Sequence, residues 1–162
     1  MSTRSCIIVK INKESVGTTR KFDKSLLPSG ISIERWGDRG KLKVVESPIY
    51  SGYLGVYCHC DGYPSGVGAA LKIKFSNYES ALNLVLIGSL SAVCVESIKP
   101  YANRVGEKWE CISPIHGTLG DIESANSWAE WFYLFRDGKW YFKHWNWKNY
   151  QELTPEIISK YL

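Results

Sequence analysis

The sequence predicts an α+β fold, a mainly antiparallel twisted sheet with two central helices and a C-terminal helix packed on one face. Three observations lead there. Short β-branched or aromatic runs bounded by Gly, Ser and Pro recur at 6–11, 41–45 and 53–60. An Asp-Gly pair divides two aromatic runs between Trp131 and Trp145. Apolar residues at helical spacing are confined to 69–86 and to the stretch after Thr154.

Cys6 to Ile11 reads as the first strand. Asn12 to Gly52 is polar and Gly-containing, broken by a short alternation at Ile31 and Ile33 and a strand-like run at Lys41 to Val45, and is expected to form an inserted arm or lid. Tyr53 to Cys60 is the central strand. Ala69 to Phe75 follows as a short helix, and a second begins at Ser76, where Ser76-Asn77-Tyr78-Glu79 matches a capping box and Ala81, Leu82, Val85 and Leu86 supply one apolar face. Gly88 is placed to end that helix in the left-handed conformation. Gly106 to Asn126 is rich in Gly, Ser and Pro around Ile112, Ile115 and His116, which predicts a mobile loop or an irregular binding element. Trp131 to Phe135 and Trp140 to Trp145 form a hairpin across Asp137-Gly138, and Thr154-Pro155 starts a helix with a capping hydroxyl and Pro at the first helical position.

A length of 162 residues suits a single domain, and 44% hydrophobic with 22% charged residues places it among globular chains rather than disordered ones. The net charge of +4 is dispersed, so it favours small anionic ligands and argues against long nucleic acid, which calls for a concentrated basic face. Five cysteines (Cys6, Cys58, Cys60, Cys94 and Cys111) form an odd set without CxxC spacing. With no apolar leader or membrane-length run in the sequence, a reducing cytoplasm is expected, with no membrane partner. Cys58 and Cys60 on a strand point opposite to His59, so no metal site is expected of them, and no cofactor either.

The most specialised stretch is Tyr57-Cys58-His59-Cys60-Asp61-Gly62-Tyr63-Pro64-Ser65-Gly66-Val67-Gly68. A strand ends there in polar side chains and breaks into a Gly/Pro bend before a helix, a junction able to hold an anion on free backbone N–H groups. Gly62 is expected to take a positive φ, Pro64 to stiffen the bend, and Gly66 and Gly68 to admit a ligand or neighbouring backbone. Arg4, if the first strand lies beside the central one, offers a guanidinium for a phosphate. Tyr57, Tyr63 and the hairpin tryptophans offer stacking faces. The basic residues at 20, 21, 24, 35, 39, 41 and 43, interleaved with Phe22 and Trp36, could lay a positive, aromatic lid over the bend, and His116 could close on the ligand. The candidate ligand-binding set is therefore Arg4, Trp36, Tyr57, His59, Asp61, Tyr63, Ser65, Gly66, Gly68 and His116. The competing reading is that Asp61 serves its own turn, His59 is a hydrogen-bonded core residue and Tyr63-Pro64 pack beneath the helix. No Lys-Ser or Lys-Thr follows Gly68, so the bend is not a P-loop.

The opening Thr3-Arg4-Ser5, the central His59-Cys60-Asp61-Gly62-Tyr63-Pro64-Ser65-Gly66-Val67-Gly68 and the helix end Leu86-Ile87-Gly88-Ser89-Leu90-Ser91 resemble a group of small phage and prophage proteins. The group shares an N-terminal TRS, a central HxDGYPxGVG and an LGDLS-like helix end. Asn12 to Gly52 is longer than the corresponding connection in that group, and Ser89 stands where an acidic residue is usual. The resemblance implies a phage setting and no particular reaction.

Three functions follow as expectations. The first is a non-catalytic protein that sequesters a small phosphorylated nucleotide immune signal, such as a cyclic dinucleotide or a cyclic ADP-ribose derivative, in the host cytoplasm, a counter-defence role compatible with a homo-oligomer. The second is an inhibitor that binds a host defence protein directly through the aromatic hairpin. The third is a small nucleotide-processing enzyme using His59 and Asp61.

Overall fold

Four consecutive apolar residues, Cys6 to Val9, need burial on both faces of a strand, and all four are fully buried. The computed structural model describes residues 2–36 and 41–162. In chain order its strands are β1 (Ser5–Lys10), β2 (Thr19–Arg20), β3 (Ser32–Ile33), β4 (Ser47–Pro48), β5 (Tyr53–Cys58), β6 (Leu90–Val93) and β7 (Ser97–Pro100). The later strands are β8 (Ile115–Gly117), β9 (Trp131–Arg136), β10 (Lys139–His144) and β11 (Gln151–Glu152). The main sheet runs β11-β10-β9-β1-β5-β6-β7-β3, with β8 also paired to β5, while β2 and β4 form a separate short ribbon. Antiparallel pairs dominate; β1 with β9, β5 with β6 and β3 with β7 are parallel.

The helices are α1 (Ala69–Lys74), α2 (Tyr78–Leu86), α3 (Trp109–Ile112), α4 (Leu119–Ala125) and α5 (Pro155–Lys160). The α+β class is the one the sequence predicts. On one sheet face Ile7, Val9, Leu54, Val56, Tyr133 and Phe135 pack with Leu71 of α1 and Leu82 and Val85 of α2. On the other, Cys6, Ile8, Phe132 and Leu134 pack with Ile122 of α4. A helix covering this second face departs from the expectation of helices on one face only, and it arises inside the segment read as a loop. Thr118 and Asp121 make a reciprocal cap there that starts α4.

Local chemistry explains most of the elements. Asp137 (φ 49°) and Gly138 (φ 78°) are both left-handed, as a primed hairpin turn requires. Gly88 (φ 91°) ends α2 as expected, whereas its cap is Asn77, which exchanges bonds with Ser80, one residue later than the capping box read from Ser76. Lys41 to Val45 forms no strand; the pairing in that region is the two-residue β4. The inserted arm divides. Its first half wraps α2, with Phe22 buried, Asp23 N–H donating to Asn83 and Arg20 paired to Glu79 at 2.8 Å. Its later half runs along β7, where β3 pairs. Among the described residues, no helix is long and apolar enough to cross a membrane.

Candidate functional site

The Gly/Pro bend is fastened to its own chain. Asp61, not Gly62, takes the left-handed conformation (φ 54°), which a short polar side chain tolerates. Gly62 instead lies against the N-terminal strand, donating its N–H to Thr3 O at 2.8 Å, and a Cβ there would come within 2.7 Å of that oxygen. Its carbonyl accepts from the Tyr133 hydroxyl at 2.6 Å. Gly66 N–H donates to Tyr63 O and Val67 N–H to Asp61 O, and a Cβ on Gly66 would collide with the Asp61 carbonyl. Gly68 faces the Tyr133 ring, 3.1 Å from where its Cβ would be. These glycines therefore admit neighbouring chain. Ser65 donates to Tyr161 O, and the Tyr63 hydroxyl to the exposed Asp61 carboxylate at 3.1 Å.

A cleft of about 560 Å³ opens elsewhere, on the face that carries α4. Its origin lies in strand pairing. One edge of β5 is covered by β8 only as far as Gly55, and β6 joins only at Cys58. Between them the sheet splits. Ile11 N–H donates to Gly52 O, which sets the phase of the β1–β5 ladder: Leu54 and Val56 bond toward β1, and Tyr53, Gly55 and Tyr57 aim their backbone groups at the other edge. Tyr57 N–H thus points into the split. Gly55 has no side chain where Ile122 of α4 presses in, a Cβ there lying 2.5 Å from it.

The walls come from segments far apart in sequence. Arg4 and Tyr57 line the floor, Tyr101 and Ser89 one side, Glu107, Glu110 and Cys111 at α3 another, and Asn126 and the 68% exposed Trp128 the end of α4. Arg4 is exposed and forms no ion pair among the described residues. Glu107 pairs with Arg104 at 3.6 Å, and its carbonyl accepts from Lys43 Nζ. The Tyr57 hydroxyl meets His59 Nδ1 at 2.6 Å, and burial above all raises the phenol pKa, so it stays protonated at neutral pH. Tyr101 stacks on Trp36 at 5.4 Å with 21° between planes; Lys99 and Arg104 lie over the same indole, whose N–H donates to Pro100 O.

Of the residues singled out from sequence, the structure brings Arg4 and Tyr57 into this cleft, seats His59 against Tyr57, and places Trp36 behind Tyr101. Asp61, Tyr63, Ser65, Gly66 and Gly68 stay together in the bend. His116 pairs with Leu54 and faces the opposite side of the 113–116 segment, in a smaller pocket of about 290 Å³ beside Tyr50. Arg39 of the basic arm lies outside the described residues. Two of the hairpin tryptophans are not the free stacking faces expected, Trp131 being 8% and Trp140 1% exposed with the Trp140 indole donating to Phe75 O within the core, whereas Trp145 is 61% exposed. Sequence reasoning missed Tyr101, Glu107, Glu110, Cys111, Asn126 and Trp128. Most fall within or beside the polar 106–126 stretch, whose length was the available signal.

Thiol chemistry is confined to the surface. Burial pushes Cys58 up to about 12 and Cys6 higher still, so neither forms a thiolate at neutral pH, whereas Cys94 and Cys111 are exposed. Among the described residues, no three His, Cys, Asp or Glu side chains gather within reach of one metal ion. The chain matches no protein-family profile, no curated protein and no solved structure.

Proposed function

We propose that the protein binds a small phosphorylated nucleotide in the β5 cleft without transforming it, and that in the phage setting its motifs imply, it withholds a nucleotide immune signal. One observation carries the reading: an Arg4 guanidinium with no carboxylate partner among the described residues lies on the floor of a cleft flanked by the rings of Tyr57, Tyr101 and Trp128. A guanidinium bonds a phosphate in bidentate fashion, and a stacked base adds about 1–3 kcal/mol. The cleft volume, about 560 Å³, falls in the range that encloses a small ligand.

Supporting a binder over an enzyme, the two groups that would carry nucleotide chemistry face different partners. His59 Nδ1 is held by the Tyr57 hydroxyl and the Asp61 carboxylate by the Tyr63 hydroxyl. The test is calorimetry against mono- and cyclic nucleotides, followed by heat release and chromatography of the ligand. Intact ligand recovered after binding is the expected result. Altered ligand would instead identify an enzyme, and absence of heat with every nucleotide would move the function to a protein partner.

A further inference from the structure

The chemical balance of the cleft says more about its occupant than its shape does. Among the described residues, its lining holds one cation, Arg4, and two carboxylates, Glu107 and Glu110; Glu107 is partly offset by Arg104 at 3.6 Å, and Lys43 Nζ sits on its carbonyl. Glu110 forms no ion pair among the described residues. One phosphate satisfies Arg4. A second or third would bring further negative charge toward Glu110.

The neutral groups point the same way. Tyr57 N–H faces the split between β8 and β6, beyond the β8 pairing that ends at Gly55, so it is placed to donate to a ligand acceptor. The Tyr57 hydroxyl shares one hydrogen bond with His59 Nδ1, which leaves at least one phenol oxygen lone pair open to a ligand N–H or O–H. The Glu110 carboxylate accepts as well. A fitting ligand therefore carries one anionic group, one ring acceptor and several donors such as sugar hydroxyls or an exocyclic amine.

Resting on the nucleotide-binding reading above, the geometry points to a single-phosphate mononucleotide as the occupant, with its phosphate on Arg4, a base acceptor on Tyr57 N–H and its donors toward Glu110, and to rejection of polyphosphates and cyclic dinucleotides by the acidic wall. Ser89 contributes to this wall only a neutral hydroxyl, so the negative charge comes from α3 and its approach.

Calorimetry on the full chain with adenosine, AMP, ADP, ATP, GMP and a cyclic dinucleotide tests the inference. The expected order places a monophosphate tightest, with several-fold weaker binding for each added phosphate and for the uncharged nucleoside. Glu110 is exposed, and Glu110→Gln removes its charge while keeping an acceptor oxygen, so it should narrow the monophosphate-to-triphosphate ratio several-fold. ATP or the cyclic dinucleotide binding more tightly than any monophosphate would overturn this inference and leave the nucleotide-binding reading standing. An unchanged ratio in Glu110→Gln would likewise overturn the role of the acidic wall. No heat from any of the six would overturn both.

Discussion

Two regions border the end of β5, and they use sequence in opposite ways. The bend from Asp61 to Gly68 is dense in unusual residues, and nearly every feature of it is answered by its own chain: Thr3, Tyr133, Tyr161 and the carbonyl of Asp61. The cleft is made of ordinary residues drawn from segments far apart in sequence, and it is there that, among the described residues, a guanidinium has no carboxylate partner. Glycine and proline at close spacing thus report a tight packing problem solved locally. A ligand surface shows itself instead by groups the fold leaves unanswered.

Filling the bend tests this difference most severely. A Cβ at Gly66 would collide with backbone that has nowhere to go, since Asp61 is fixed in the left-handed conformation and its carbonyl holds Val67 N–H. Gly66→Ala is expected to cost about 3 kcal/mol or more, lowering Tm by roughly 6–12 °C for a chain of this size. Thermal unfolding followed by circular dichroism measures it. A Tm unchanged by Gly66→Ala would show that the bend yields, and its glycines would again be candidates for ligand approach.

The matching substitution in the cleft should behave in reverse. Arg4 ties into the sheet through its backbone carbonyl, which accepts from Glu130 and Trp131 N–H, while its side chain is exposed. Arg4→Ala should leave Tm within about 1 °C and weaken nucleotide binding about 10- to 100-fold, the equivalent of about 1.5–3 kcal/mol for charge-assisted bonds. A variant that loses stability along with binding would make Arg4 a structural residue.

How much of this the sequence disclosed follows from the range of the interactions. The hairpin at Asp137-Gly138, the Thr154 cap and the left-handed Gly88 were legible because each is decided within a few residues. Arg4 and Tyr57 were found because strand pairing of β1 with β5 could be anticipated. Trp128, Glu110 and Tyr101 were not, because their meeting depends on where β6 and β8 part from β5, a non-local event with no mark in any one segment. The Gly62 assignment failed for a local reason: Asp can occupy the left-handed region itself, which freed Gly62 to serve close packing.

The thiols sharpen the contrast without calorimetry. Under native conditions iodoacetamide should modify Cys94 and Cys111 and spare Cys6 and Cys58, which are fully buried with raised pKa values. Only Cys111 lines the cleft, so a bound nucleotide should slow its alkylation several-fold while Cys94 reacts at an unchanged rate. Peptide mass spectrometry of a time course reads both rates. Equal rates at Cys111 with and without ligand would place the nucleotide outside the cleft.

The smallest effect belongs to His116, on the reverse of the cleft wall. Burial lowers its pKa from the usual 6.5, and its Nε2 is buried without a hydrogen-bond partner among the described residues. The folded protein therefore keeps the imidazole neutral at pH values where the unfolded chain takes up a proton. Over that window the unfolded state binds more protons, so stability rises with pH up to about 6.5 and is flat above it as far as this group is concerned. Because His116 is only partly buried and Glu46 lines the same pocket, the effect is modest: a loss of about 1 °C in Tm between pH 7 and pH 5.5 that His116→Asn removes. Parallel pH profiles for wild type and His116→Asn would mean that the 113–116 segment opens to let solvent reach the ring. The cleft wall would then be far less rigid than the bend.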